Sequence, residues 1–202
     1  LGQFLSERMF GPLGMPDTAF GVPDTELGRL SAMYGLPDLF GEGHSFLTLM
    51  DAAAVGFNER LDVTATYPTD TPDVFVRGGI ALFSTIGDYL RFAQMLVNGG
   101  RLDGVQILGR KTVELMHANH LPADLLPYVL AGIPQPGLGF GLGSRVTLDV
   151  AATAGLGSVG EHGWAGAAKT YYWVDPQEQL VGLLMSQRMA SFELPEQDLR
   201  TL

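Results

Sequence analysis

The sequence predicts an α/β fold of the α+β kind, an antiparallel sheet flanked by helices. Three observations carry that expectation. Residues 161–185 read as a buried hairpin: a glycine-rich entry, an aromatic run Thr170-Tyr171-Tyr172-Trp173-Val174, an Asp175-Pro176 turn, and a second apolar run from Leu180 to Met185. Residues 84–100 read as a capped amphipathic helix. Residues 140–148, from Phe140 to Leu148, alternate well enough to add a strand.

Leu1, Phe4, Leu5 and Met9 stand at helical spacing, and the segment runs into Gly11-Pro12, where the helix is expected to stop. Residues 11–75 are rich in Pro, Gly and Asp, with short apolar pieces at Ser45–Met50 and Val63–Tyr67. A segment of that length with little structure of its own is usually functional. Thr85 and Asp88 have the spacing of a capping pair and Gly99-Gly100 closes the helix, which places Ile86, Tyr89, Leu90, Ala93, Leu96 and Val97 on one face. Leu102-Asp103-Gly104-Val105 is a hairpin signal. A shorter helix follows from Arg110 to His117 with Val113 and Met116 inward, and Pro122, Pro127, Pro134 and Pro136 mark a loop.

Composition removes several classes of function. The chain has 202 residues, 46% of them hydrophobic, enough for one sizeable core, and 1–202 is most simply one domain. Twenty-two acidic against 12 basic residues give a net charge of −10, which argues against nucleic acid or an anionic membrane as partner. There are no cysteines, hence no disulfides, thiolate metal sites or cysteine nucleophile. No apolar run reaches the roughly 18 residues of a membrane span. No cofactor is indicated.

Three motifs in a fixed order carry a resemblance: Pro12-Leu13-Gly14-Met15-Pro16-Asp17-Thr18, then Gly78-Gly79-Ile80-Ala81-Leu82-Phe83-Ser84-Thr85-Ile86-Gly87-Asp88-Tyr89, then Gly163-Trp164-Ala165-Gly166 with the hairpin behind it. With these, the chain resembles the C-terminal half of the serine β-lactamase-like hydrolases. That group holds class C β-lactamases, D-alanyl-D-alanine peptidases and class VIII esterases. The tryptophan in the third motif favours the esterase branch. The resemblance implies a β-lactamase/transpeptidase-like fold lacking its N-terminal part, and a serine hydrolase that forms an acyl-enzyme on esters, with β-lactams or D-amino-acid amides as other substrates. Short-chain esters are the first expectation. The alternative is a non-catalytic, truncated relative that serves as a binding or interaction domain. The family's nucleophile lies in Ser-x-x-Lys and its partner tyrosine in Tyr-x-Asn, and neither pattern occurs in residues 1–202. The chain is therefore expected to be a fragment or one piece of a split enzyme, its partner being the missing N-terminal half or a second copy. The compartment, bacterial cytoplasm or periplasm, stays open.

The site expectations follow from the same match. Trp164, Ala165 and Gly166 stand where a strand of small residues lets a carbonyl lie close, and the N–H of Ala167 is implied as one half of an oxyanion hole. The simpler reading of these residues is a glycine bend with Trp164 in the core. Gly79 and Ile80 are implied as pocket lining, or equally as a turn feeding the helix. His162 is near the motif, but a base needs a nucleophile and an orienting carboxylate, and Glu161 would face the opposite side of a strand. His117 and His120 stand three apart with no third ligand in sight, so no metal site is expected. Lys169 reads as an exposed departure from the family, and Ser158 as a loop serine.

Overall fold

The computed structural model describes residues 1–35, 59–61, 82–130, 132–166 and 168–188. They divide between two compact units: the first draws on residues 1–88, 166–170 and 184–188, the second on 89–165 and 171–183. The apolar pieces at Ser45–Met50 and Val63–Tyr67 lie outside the described residues.

In the first unit, α1 (Gly2–Leu5), a π-helical turn (Ser6–Phe10) and α2 (Gly11–Leu13) follow one another without a break. The helix thus runs past Gly11-Pro12, where the sequence placed its end. Pro12 sits in the first turn of α2, where a missing N–H costs little. The stop comes at Gly14, at φ 64°. The Met15 N–H returns to the Phe10 carbonyl (2.9 Å) and the Gly14 N–H to Gly11 (3.0 Å), the paired bonds of a Schellman ending. Phe10, Leu13 and Met15 are all buried there.

The first two family-like motifs meet at one carboxylate. Asp88 is buried and accepts hydrogen bonds from the Asp17 N–H (2.8 Å) and the Thr18 hydroxyl (2.9 Å), while its own N–H donates to Thr85 Oγ1 (3.1 Å). A backbone bridge between Ala19 and Phe83 runs alongside. The Thr85/Asp88 spacing therefore does cap a helix, and the acidic member also fastens a distant loop. A 3₁₀ turn (Asp24–Arg29) and a short antiparallel pair, β1 (Met33–Gly35) with β2 (Glu59–Leu61), complete this part of the chain.

Helix α3 (Ile86–Val97) leads into the second unit. It buries Ala93, Met95 and Leu96, whereas Ile86 and Leu90 are exposed, so its inward face is rotated from the one the spacing suggested. Asp103 and Gly104, both at positive φ, turn β3 (Arg101–Leu102) into β4 (Val105–Gln106). Helix α4 (Arg110–Met116) buries Val113. A small hairpin, β5 (Val129–Leu130) with β6 (Ile133–Pro134), occupies the proline-rich stretch.

The main sheet is a five-stranded antiparallel meander in the order β11-β10-β9-β8-β7. Its strands are β7 (Leu138–Phe140), β8 (Arg145–Thr147), β9 (His162–Ala165), β10 (Thr170–Asp175) and β11 (Leu180–Met185). The single strand expected over 140–148 is a hairpin instead, because Gly143 at φ 114° breaks the run and the Gly141 N–H closes on the Ser144 carbonyl. A one-turn helix, α5 (Val150–Thr153), follows β8; Asp149 caps it through the Ala152 N–H. Trp164 pairs with Tyr172 and His162 with Val174, so these four share one face of the sheet. On that face Tyr172 meets the rings of Tyr89 and Phe92 from α3, at 5.4 and 6.4 Å. Val146 and Val174 lie in the core beside them.

Candidate active site

Strand β9 is built to let chain pass close to chain. A Cβ on Gly163 would come within 2.1 Å of the Tyr172 carbonyl oxygen, so no other residue fits without parting β9 from β10. Gly182 on β11 serves the neighbouring strand: a Cβ there would enter the Trp173 ring, 1.9 Å from Cζ2. Trp173 thus lies flat across β11, and Tyr171 stacks beside it at 5.5 Å. Tyr171 is also covered by the Arg145 guanidinium, 4.7 Å from its ring centre.

His162 and Gly163 are buried while Trp164 and Ala165 are half-buried, so the motif lies at the accessible end of β9. Trp164 meets the edge of Phe140 at 5.0 Å and 89°. Beyond Ala165 the chain turns. The Gly166 N–H donates to the Thr170 carbonyl (2.8 Å) and the Lys169 N–H to Gly166 (3.0 Å), with Lys169 at φ 60°. The turn is clamped from the end of β11: Ser186 Oγ donates to the Ala168 and Lys169 carbonyls (3.0 and 3.2 Å), and the Arg188 N–H donates to Ala168 (3.2 Å). Gln187 in turn accepts from the Tyr34 N–H (2.8 Å). The Gly166 N–H is thus used within the ladder. Ala167, the residue expected to supply an oxyanion donor, lies outside the described residues, as do Gly79 and Ile80. Lys169 is half-buried, not exposed as its sequence suggested.

The histidines are arranged in a way their spacing does not suggest. His162 stacks on His117, ring centres 3.5 Å apart and 12° from parallel. His117 Nδ1 bonds Ser144 Oγ (2.8 Å), and His162 Nδ1 donates to the Gly160 carbonyl (3.1 Å), which fixes its neutral tautomer. Both Nε2 atoms are buried without a hydrogen-bond partner among the described residues. Burial holds both imidazoles neutral. It brings His117, with the His162 ring adding to the effect, down to about 3; His162 is also lowered, against the pull of the Gly160 carbonyl and Asp175. Ser144 beside His117 has the composition of a nucleophile and base, but Ser144 is only 1% exposed and a histidine so hard to protonate is a poor base. The trio is packing.

His120 bonds the Leu115 carbonyl (2.8 Å) and takes no part in the stack. No group of three metal-ligating side chains occurs among the described residues. A cleft of about 820 Å³ opens beside the histidine pair, lined by the end of α3, the β3–β4 hairpin and α4. Trp164 and Ala165 do not line it. The aromatic partners Tyr172 and Phe140 were missed by sequence reasoning, since nothing in spacing says which distant ring a strand residue will meet.

The family profile for β-lactamase matches residues 1–202. Two Mycobacterium tuberculosis proteins, Rv1367c and MT1414, are 34% identical to the chain over 193 residues, covering 93% of it and 43% of their own length. The chain therefore spans less than half the length of these relatives. Among solved structures, EstCE1, described as a hydrolase with promiscuous acyltransferase activity, superposes with a TM-score of 0.67 at 21% identity, over 93% of this chain and 46% of its own. The LovD6 mutant of simvastatin synthase from Aspergillus terreus gives 0.67 at 23%, over 93% and 45%. A family VIII carboxylesterase gives 0.58 at 17%, over 98% and 49%. These likenesses establish a β-lactamase/transpeptidase fold. No described helix is long and apolar enough to cross a membrane.

Proposed function

The chain belongs to the β-lactamase family, and from that premise we propose that it supplies the oxyanion strand of a serine hydrolase acting on ester substrates through an acyl-enzyme. A serine attacks the ester carbonyl, the alcohol leaves, and water releases the acid. Ser-x-x-Lys and Tyr-x-Asn are absent from residues 1–202, so in this reading both come from outside them, from the N-terminal half of the same fold. Trp164, Ala165 and Gly166 border the substrate, the Ala167 N–H takes the oxyanion, and Gly79 and Ile80 line the pocket. β-Lactams or D-amino-acid amides are secondary substrates, since Ala165 brings no hydroxyl to hold a carboxylate.

The observation that carries the reading is the clamped turn after Gly166. Six hydrogen bonds within residues 166–188 hold residues 166, 168 and 169 in place. A donor aimed at developing charge works only if it is fixed before the reaction begins. The printed descriptions of EstCE1 and of the family VIII carboxylesterase lend support by the chemistry they name.

The test is expression of the complete reading frame that contains these residues, followed by assay with p-nitrophenyl acetate and labelling with a serine-directed phosphonate. Hydrolysis is expected, with the adduct on a Ser-x-x-Lys serine outside residues 1–202. A frame that neither hydrolyses nor labels would overturn the proposal in favour of a non-catalytic binding domain. Residues 1–202 alone are expected to hydrolyse nothing.

A further inference from the structure

From Leu125 to Ser144 the sequence has no charged residue, in a chain of which 17% is charged. Within that stretch the β5–β6 hairpin holds Val129 at 61%, Leu130 at 44% and Ile133 at 54% exposure. Short hairpins and sheet edges are ordinarily protected by charges. Exposed apolar side chains grouped without them suit a binding surface.

The hairpin joins the motif strand through aromatic rings. Tyr128, which precedes β5, meets the edge of Phe140 at 6.0 Å and 80°. Phe140 meets Trp164 at 5.0 Å and 89°. All three rings are half-buried, whereas Tyr171 is 3% exposed. At the foot of the hairpin lies a second cleft of about 330 Å³, lined by Leu126, Pro127, Pro136, Gly137, Leu138 and Leu148, with no charged side chain. Clefts of a few hundred Å³ with apolar and aromatic walls are the usual form of small-molecule sites. The larger cleft by the histidines is a poorer candidate because charged side chains line it and it does not touch the motif.

We propose that Trp164, Phe140 and Tyr128, continued by the β5–β6 hairpin and the cleft at its foot, form a wall that receives an extended apolar acyl chain. The proposal rests on the ester-hydrolase reading and names its substrate class: esters of medium-chain fatty acids, in preference to acetates. The ester carbonyl lies at the Trp164 end and the chain runs over Phe140 toward Tyr128 and Leu130. The rings recognise it by apolar contact, and each methylene taken out of water adds to binding. Tyr128 qualifies the wall, because its hydroxyl is buried without a hydrogen-bond partner among the described residues and contributes nothing to an alkyl chain.

The experiment is a chain-length series of p-nitrophenyl esters from acetate to decanoate on the complete protein. We expect kcat/KM to rise by about threefold per methylene at first, the factor anticipated for largely buried methylenes, and to level off by octanoate. Leu130→Gln should lower the octanoate-to-acetate ratio of kcat/KM by about tenfold, Tyr128→Ala by a similar factor, and Tyr128→Phe should raise it. Leu130 is exposed, so its replacement does not threaten folding. A flat chain-length profile would overturn the proposal, as would Leu130→Gln variants with an unchanged ratio or with a change only in oligomeric state.

Should the protein hydrolyse no ester and label with no phosphonate, the hydrolase reading fails and the wall is still testable. Decanoate should then change the fluorescence of the two tryptophans, Trp164 and Trp173, and Trp164→Phe should abolish most of that change. Absence of any decanoate response would sink the wall itself.

Discussion

Strand β9 is closed at one end and open at the other, and four residues hold the difference. At the closed end His162 is buried against His117 and Gly163 presses against the β10 backbone. At the open end Trp164 and Ala165 keep part of their surface, and the chain then leaves the ladder in a turn fixed from a distant strand. Glycine serves both ends for different reasons. At Gly163 the obstacle to a side chain is backbone, and at Gly166 it is only the Thr170 hydroxyl, 2.4 Å from where a Cβ would be. A glycine against backbone serves assembly, and a glycine with a movable neighbour leaves room for something else.

The largest effect is expected where the packing is least forgiving. Gly182→Val places a branched side chain inside the Trp173 ring, and the cost should exceed the about 1–3 kcal/mol usual for overpacking, enough to abolish folding. Thermal melts of the purified variant would check this; a near-native melting temperature would show that Trp173 has another place to go. Gly166→Val is the contrasting case. On the proposed hydrolase reading, ester turnover by the complete protein should fall by about 10²–10³, the scale of losing an oxyanion interaction. Because the new side chain presses on Thr170 Oγ1, stability should drop as well. Combining Gly166→Ala with Thr170→Ala should restore the melting temperature without restoring turnover, and recovery of both would make the open end structural too.

A control lies away from the motif strand. Asp88→Asn keeps one acceptor but loses the charge that receives the Asp17 and Thr18 donors, a loss of about 1.5–3 kcal/mol by denaturant titration. A change at His162 should instead alter how stability depends on pH.

That pH dependence is the smallest of the effects per step. Both imidazoles have their pKa lowered by folding, so below about 6.5 the unfolded chain binds protons that the folded chain does not. Stability should therefore fall as pH drops from about 6.5, and for His117 go on falling toward about 3. The slope is at most about 1.4 kcal/mol per pH unit for each imidazole, and less for His117, which is only partly buried. Denaturation midpoints between pH 7 and 4.5 should show it, and His162→Phe should flatten it. An equal slope in that variant would mean the stacked pair is not the acid-sensitive element.

Much of this was legible in the residues. The Asp103-Gly104 turn, the Thr85 cap, the glycines after α3 and the β10–β11 hairpin all rest on local chemistry that acts within a few residues. The failures have a common source. Pro12 looked like a helix stop, but α2 accommodates it and Gly14 ends the segment. Phe140–Leu148 looked like one strand because alternation continues through a turn that Gly143 alone makes possible. The stacking of His117 on His162 left no trace in spacing, because the two residues are far apart in the sequence.

By itself the sequence determined the family, the order of the motifs, the acidic character of the chain, and those turns and caps whose residues tolerate few alternatives. Tertiary structure alone decided which rings meet Trp164, which histidine stacks on which, and which glycines stand against backbone. The reason is that backbone preferences are set by neighbours along the chain, whereas burial and side-chain contact depend on the register of strands and the rotation of helices. A shift of one residue in either reverses the face a side chain presents.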